Sequence, residues 1–146
     1  MKLERYVMQK TKIIIDTNLW ISLLIGKKVS DLRFLCNDTR IEVYLCTDLK
    51  AEFIRVATSE KIRKYVEKER IINTLELMEN SCIEVLVTNS AVSSSLRDVD
   101  DLYLLSLADT VQADYIITGD KDLLTLQIHN HTKIVTYSEF VTRFTA

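Results

Sequence analysis

Four carboxylates of the chain stand where a bare negative charge needs an explanation. Asp16 closes the apolar run Ile13-Ile14-Ile15, and Asp120 follows Tyr115-Ile116-Ile117 after Thr118-Gly119. Glu52 lies three residues after Leu49, one before Phe53 and four before Val56, so on a helix it shares the apolar stripe. Asp101 lies three residues before Leu104 and seven before Ala108, again on a core-facing stripe, and at a helix start, where negative charge is favoured. An acid in an apolar stripe needs a compensating partner. Two like charges ~5 Å apart repel by roughly 3 kcal/mol at an effective dielectric of about 20. No single Lys or Arg in the sequence answers four such acids. A hard divalent cation, Mg²⁺ or Mn²⁺, does, because it prefers oxygen ligands and shares them with substrate phosphate oxygens. A cation so held polarises a phosphoryl oxygen and activates a bound water, and a carboxylate accepts the water's proton. Taken singly, the acids have plainer readings. Asp16 and Asp120 would serve as turn or cap residues, Glu52 as a solvated residue paired with Arg55 or Arg63, and Asp101 as a helix cap. The set of four at one edge points to a site.

The elements that must position these acids follow from the apolar pattern. Short β-branched or alternating runs predict strands at 12–16, 41–46, 83–87, 115–118 and 133–136. Helical spacing fills the intervals: Leu19 to Ile25, Asp31 to Cys36, a helix capped by Thr47 or Asp48, one or two charged helices in 59–80, a Leu-rich helix beginning at Asp100 or Asp101, and Tyr137 to Phe144. Strands alternating with helices imply an α/β fold: a three-layer α/β/α sandwich around a central, mostly parallel five-stranded sheet, Rossmann-like in plan. In such sheets ligands bind outside the carboxyl ends of the strands. Asp16 and Asp120 both fall on that edge.

Together these segments resemble the PIN-domain family, including the VapC-like toxins of toxin–antitoxin pairs. The resemblance runs through Ile13-Ile14-Ile15-Asp16-Thr17-Asn18, Glu52, Arg97-Asp98-Val99-Asp100-Asp101-Leu102 with the Leu-rich helix after it, and Ala113-Asp114-Tyr115-Ile116-Ile117-Thr118-Gly119-Asp120-Lys121-Asp122-Leu123-Leu124. It covers nearly the whole chain. By this resemblance Asp16, Glu52, Asp101 and Asp120 are the acidic quartet that holds the metal, and Asp122 is an additional acid. Asn18 and Thr118 resemble the polar residues that orient metal-bound water or the acids. Asp101 takes the third place because it sits seven residues before Ala108, as the family's third acid precedes its helix alanine. A different helix start gives that place to Asp100. The resemblance implies metal-dependent endonucleolytic hydrolysis of RNA, and a toxin silenced by an antitoxin protein that covers the acidic edge. It also implies a homodimer. A PIN-fold RNA-processing or RNA-binding protein that is not a toxin is the alternative. Arg97 and Lys121, with Lys50 and Arg55, flank the acids and are candidate phosphate contacts.

Composition bounds the remaining choices. The chain has 146 residues, 47% hydrophobic and 27% charged, with no proline and two glycines, which predicts one globular domain spanning 1–146. No segment has the apolar length of a signal peptide core or a membrane span, so the expected location is cytoplasmic and no membrane partner is expected. The three cysteines fit no disulfide or zinc spacing and read as reduced core thiols. A net charge of −2 argues mildly against a basic nucleic-acid clamp, although metal-binding acids themselves lower the balance. His129-Asn130-His131 spells a nuclease-like string, but its position between a helix and a short strand predicts a surface loop. Trp20 reads as core packing or a dimer contact. A haloacid-dehalogenase-like phosphatase also ends its first strand in an acid and carries a later Gly-Asp pair. Its general acid would fall at Asn18, and an amide cannot do that proton work.

Overall fold

The computed structural model describes residues 9–87 and 99–145, with 99–101 described in backbone only. In chain order its elements are β1 (Thr11–Ile15), α1 (Thr17–Ile25), α2 (Val29–Asn37), β2 (Ile41–Leu45), α3 (Thr47–Ala57), α4 (Glu60–Arg63), α5 (Lys68–Ser81) and β3 (Ile83–Glu84). After 88–98, which lie outside the described residues, come α6 (Val99–Val111), β4 (Tyr115–Ile117), α7 (Lys121–Leu126), β5 (Ile128–His129), β6 (Thr132–Val135) and α8 (Tyr137–Thr145).

The sheet is ordered β3-β2-β1-β4-β6-β5. All of its pairings are parallel except β5 with β6. Ile13, Ile14 and Ile15 of the central strand are fully buried. Successive strand residues point to opposite faces, so both faces of β1 are covered, as a parallel sheet requires. Helix α6 packs on β1 and β4, α2 on β2, and α7 on β6, while α1 packs against α3. The α/β architecture with a mostly parallel sheet is as expected.

The sheet has six strands, not the expected five. The additional strand is β5, in the segment expected to be a surface loop. Asn130, at φ 54°, makes the turn of a hairpin that folds Ile128–His129 back on β6, and Asn is among the residues that tolerate this left-handed conformation. A two-residue strand carries no periodicity, which is why the pattern does not show it. His129 is occupied there: its Nε2 lies 3.1 Å from the Asp109 carboxylate, which also accepts from Asn130 Nδ2 at 2.8 Å.

Local rules explain most element ends. Ser59 caps α4, accepting from the Ile62 N–H. Thr136 and Glu139 form a reciprocal capping box at the start of α8, with Thr136 N–H donating to Glu139 Oε1 at 3.0 Å and Glu139 N–H donating to Thr136 Oγ1 at 3.2 Å. The start of α3 differs from the expectation. Thr47 is already helical and Cys46, extended and without a side-chain cap bond, precedes it. Here β2 runs directly into the helix, and Asp48 supplies the first-turn negative charge instead. Helix α6 starts at Val99, one residue before the expected range. Trp20 is fully buried and meets Phe53 edge to face, with ring centroids 6.2 Å apart. It is a core residue that sets α1 against α3.

Candidate functional site

The parallel strands order themselves so that the chain leaves β1 toward β2 on one side and leaves β4 toward β6 on the other. The two central strands therefore define a switch point, and a crevice opens at their carboxyl ends. The register pairs Ile15 with Ile117. The next residue on each strand is Asp16 and Thr118. Asp16 N–H donates to the Ile117 carbonyl at 3.0 Å, and Thr118 Oγ1 donates to Asp16 Oδ2 at 2.7 Å. The Asp120 N–H in turn donates to Thr118 Oγ1 at 3.0 Å. One buried threonine hydroxyl thus links the ends of both strands. Asn18, Leu19, Ser22, Gly119 and Asp120 line a cleft at this point.

Asp16 is 4% exposed. Burial pushes its carboxyl above the ordinary range; the hydrogen bonds from Thr118 and from the Asn18 backbone pull it down, and the charges of Asp120 and Glu52 push it up again. Glu52, from α3, and Asp120, after β4, therefore both lie near enough for their charge to reach Asp16. Glu52 is half-buried, and its Oε2 accepts from the Tyr103 hydroxyl at 2.5 Å. Asp120 has a second task. Its Oδ1 accepts from the Asp122 N–H at 2.9 Å and caps α7, so the plainer reading of Asp120 as a cap holds alongside its place at the cleft. Asn18, Lys121 and Asp122 are exposed at the same edge.

Asp100 and Asp101 lie in the first turn of α6, but their side chains lie outside the described residues, as does Arg97. Among the described residues no Lys or Arg forms an ion pair with Asp16, Glu52 or Asp120. No three acids, histidines or cysteines among them stand close enough to hold a metal ion together. The donor set nevertheless suits a hard cation: carboxylate oxygens, one of them on a residue whose carboxyl is raised chiefly by burial, with no Lys or Arg paired to them among the described residues. A further carboxylate would come from the start of α6, which packs on β1 and β4. Lys50 does not point to phosphate binding, because it pairs with Glu79 and with Glu84.

Two residues beside the acids have no role assigned from the sequence, Thr17 and Tyr103. Thr17 is buried, and its Oγ1 lies 3.2 Å from the Tyr103 hydroxyl. A signal for Tyr103 does exist. It precedes Leu107 by four residues on the Leu-rich stripe, and a phenol on a buried stripe calls for a polar partner.

A family model described as a PIN domain matches residues 12–122. The chain belongs to the PIN-domain family. PIN domains are typically nuclease domains that use divalent metal ions. Among relatives, an uncharacterised protein from Methanocaldococcus jannaschii is 34% identical over 149 residues, covering 92% of each chain. The PIN fold is also seen in the crystal structure of VapBC2 from Rickettsia felis bound to a DNA fragment from their promoter, which superposes with a TM-score of 0.53 over 85% of this chain and 97% of that one, at 13% identity. The PIN domain endonuclease Utp24 aligns over 84% of this chain and 89% of its own, at 16% identity and a TM-score of 0.48. Among the described residues of this PIN domain no helix is long and apolar enough to cross a membrane.

Proposed function

We propose that this PIN domain is a Mg²⁺- or Mn²⁺-dependent endoribonuclease. The observation that carries the reading is Asp16: a carboxylate buried at the switch point, close enough to Asp120 and Glu52 to feel their charge, and with no Lys or Arg paired to it among the described residues. Asp16, Glu52, Asp101 and Asp120 would hold the metal, with Asp122 and Asp100 as adjoining acids. The bound metal would polarise a phosphoryl oxygen and lower the pKa of water. The chain's own residues do the rest. Thr118 fixes the Asp16 carboxylate against rotation and carries the Asp120 backbone with it. Asn18 lines the cleft where an RNA phosphate would enter, and Lys121, beside Asp120, offers it positive charge. Arg97 is the further phosphate contact we assign. The family assignment favours this nuclease reading over a phosphatase one.

The finer role we assign is the toxin of a toxin–antitoxin pair, active in the cytoplasm as a homodimer and silenced by a protein covering the acidic edge. A shared fold with VapBC2 supports it. A housekeeping role in RNA processing is the competing reading. The test is incubation of labelled mixed-sequence RNA with Mg²⁺, Mn²⁺ or EDTA, with Asp16→Asn and Asp101→Asn beside the parent. Internal cleavage that requires metal and both acids is expected. An intact substrate under both metals, with the protein folded by circular dichroism, would overturn the general ribonuclease reading. Growth arrest on expression separates a toxin from a processing enzyme.

A further inference from the structure

Tyr103 ties three acid-bearing segments together. It lies on α6, two residues after Asp101. Its hydroxyl donates to Glu52 Oε2 on α3 at 2.5 Å and stands 3.2 Å from Oγ1 of Thr17, the residue that follows Asp16. The ring itself is half-buried.

Glu52 needs such a holder. Its charge reaches Asp16 and repels it. Among the described residues it has no Lys or Arg in an ion pair. A glutamate has three side-chain torsions, and a repelled carboxylate left free would turn toward water. The Tyr103 bond opposes that turn. It occupies Oε2 from one side and leaves Oε1 available for a cation. Hydroxyls that orient ligating carboxylates in this way tune metal affinity without touching the metal.

We propose that Tyr103 is the positioning residue of the acidic site, its hydroxyl holding Glu52 beside Asp16 so that both carboxylates face one cation. This rests on the metal-site reading above. Tyr103→Phe removes one oxygen and keeps the ring. Titration calorimetry with Mn²⁺ alone, without RNA, reads the consequence directly. The Phe variant is expected to bind Mn²⁺ ~10-fold more weakly than the parent, the lower end of what loss of an outer-shell partner costs, while its melting temperature in EDTA stays near the parent's. Glu52→Gln is expected to weaken binding as well. The double variant should bind no more weakly than Glu52→Gln alone, because the hydroxyl then has no charged ligand to hold. Equal Mn²⁺ affinity in the parent and the Phe variant would overturn the positioning role and leave the metal site intact. So would full additivity in the double variant. A parent protein that binds no Mn²⁺ would overturn the metal-site reading itself, and this role with it.

Discussion

The carboxylate of Asp16 sits where burial works against its charge. Its folded-state pKa lies above its unfolded value, for reasons of burial first and of neighbouring acids last. The sign of the pH dependence follows. A group raised in this way favours the fold fully below its unfolded pKa, and the contribution is lost as the pH climbs through the folded value. In EDTA at neutral pH the ionised Asp16 therefore works against the fold. Asp16→Asn removes that charge and keeps an oxygen to accept from Thr118. We expect the variant in EDTA to be more stable than the parent at neutral pH, on the order of 1 kcal/mol, with the gap closing as the pH falls toward the carboxyl range. Urea denaturation at several pH values checks this. An Asn variant less stable than the parent at neutral pH would show that the Thr118 and Asn18 hydrogen bonds outweigh burial. The same substitution should lower cleavage by more than the ~10–100-fold typical of losing an outer-shell partner. Stability and activity would then move in opposite directions at a single atom.

Element packing sets the distance between Asp16 and Glu52. Helix α1 follows Asp16 directly, and Glu52 precedes Phe53 on α3. The two helices are held in register by Trp20 and Phe53, both fully buried and in edge-to-face contact. Such ring pairs contribute ~0.5–1.5 kcal/mol beyond the area they bury. Trp20→Ala should cost about 3–5 kcal/mol, as other large-to-small aromatic changes do, and thermal unfolding reads it directly. The variant should lose Mn²⁺ affinity as well, since α1 and α3 no longer have a fixed spacing. Unchanged Mn²⁺ affinity in a destabilised variant would show that sheet register alone aligns the acids. The helix starts at this edge are less uniform than sequence rules suggest. Asp120 caps α7 through its side chain, whereas α3 begins with no side-chain cap at all.

For the whole molecule, the proposed metal site would link cation binding to folding. The proposed ligands come from the residue after β1, from α3, from α6 and from the turn after β4, so a cation bound among them would join segments from position 16 to position 120. A ligand that binds only the folded state at ~100 times its Kd adds about 2.7 kcal/mol. At roughly 2–4 °C per kcal/mol for chains of this size, Mn²⁺ should raise the melting temperature by about 5–10 °C, and EDTA should reverse the shift. Asp101→Asn should flatten this response. A melting temperature indifferent to Mn²⁺ would mean that no cation is held at the switch point. The formal charge of −2 argues against a broadly basic nucleic-acid face.

Residue type and spacing alone determined the alternation of strands and helices, the strand edge on which Asp16 and Asp120 fall, and the family pattern running from Ile13 to Leu124. Each of these is local. A β-branched run, a helical stripe or a strand followed by Gly-Asp is written in neighbouring residues. Tertiary structure decided what depends on residues far apart in the chain. It placed β1 beside β4, which makes the crevice, and let the Thr118 hydroxyl reach Asp16 across 102 positions. It gave Glu52 a phenol, 51 positions away, where the sequence offered Arg55 or Arg63. It drew Lys50 away to Glu79 and Glu84, and it paired two residues, Ile128 and His129, into a strand too short to carry a period. Hydrogen bonds form between atoms within about 3 Å of one another, and only the folded chain brings such distant residues that close.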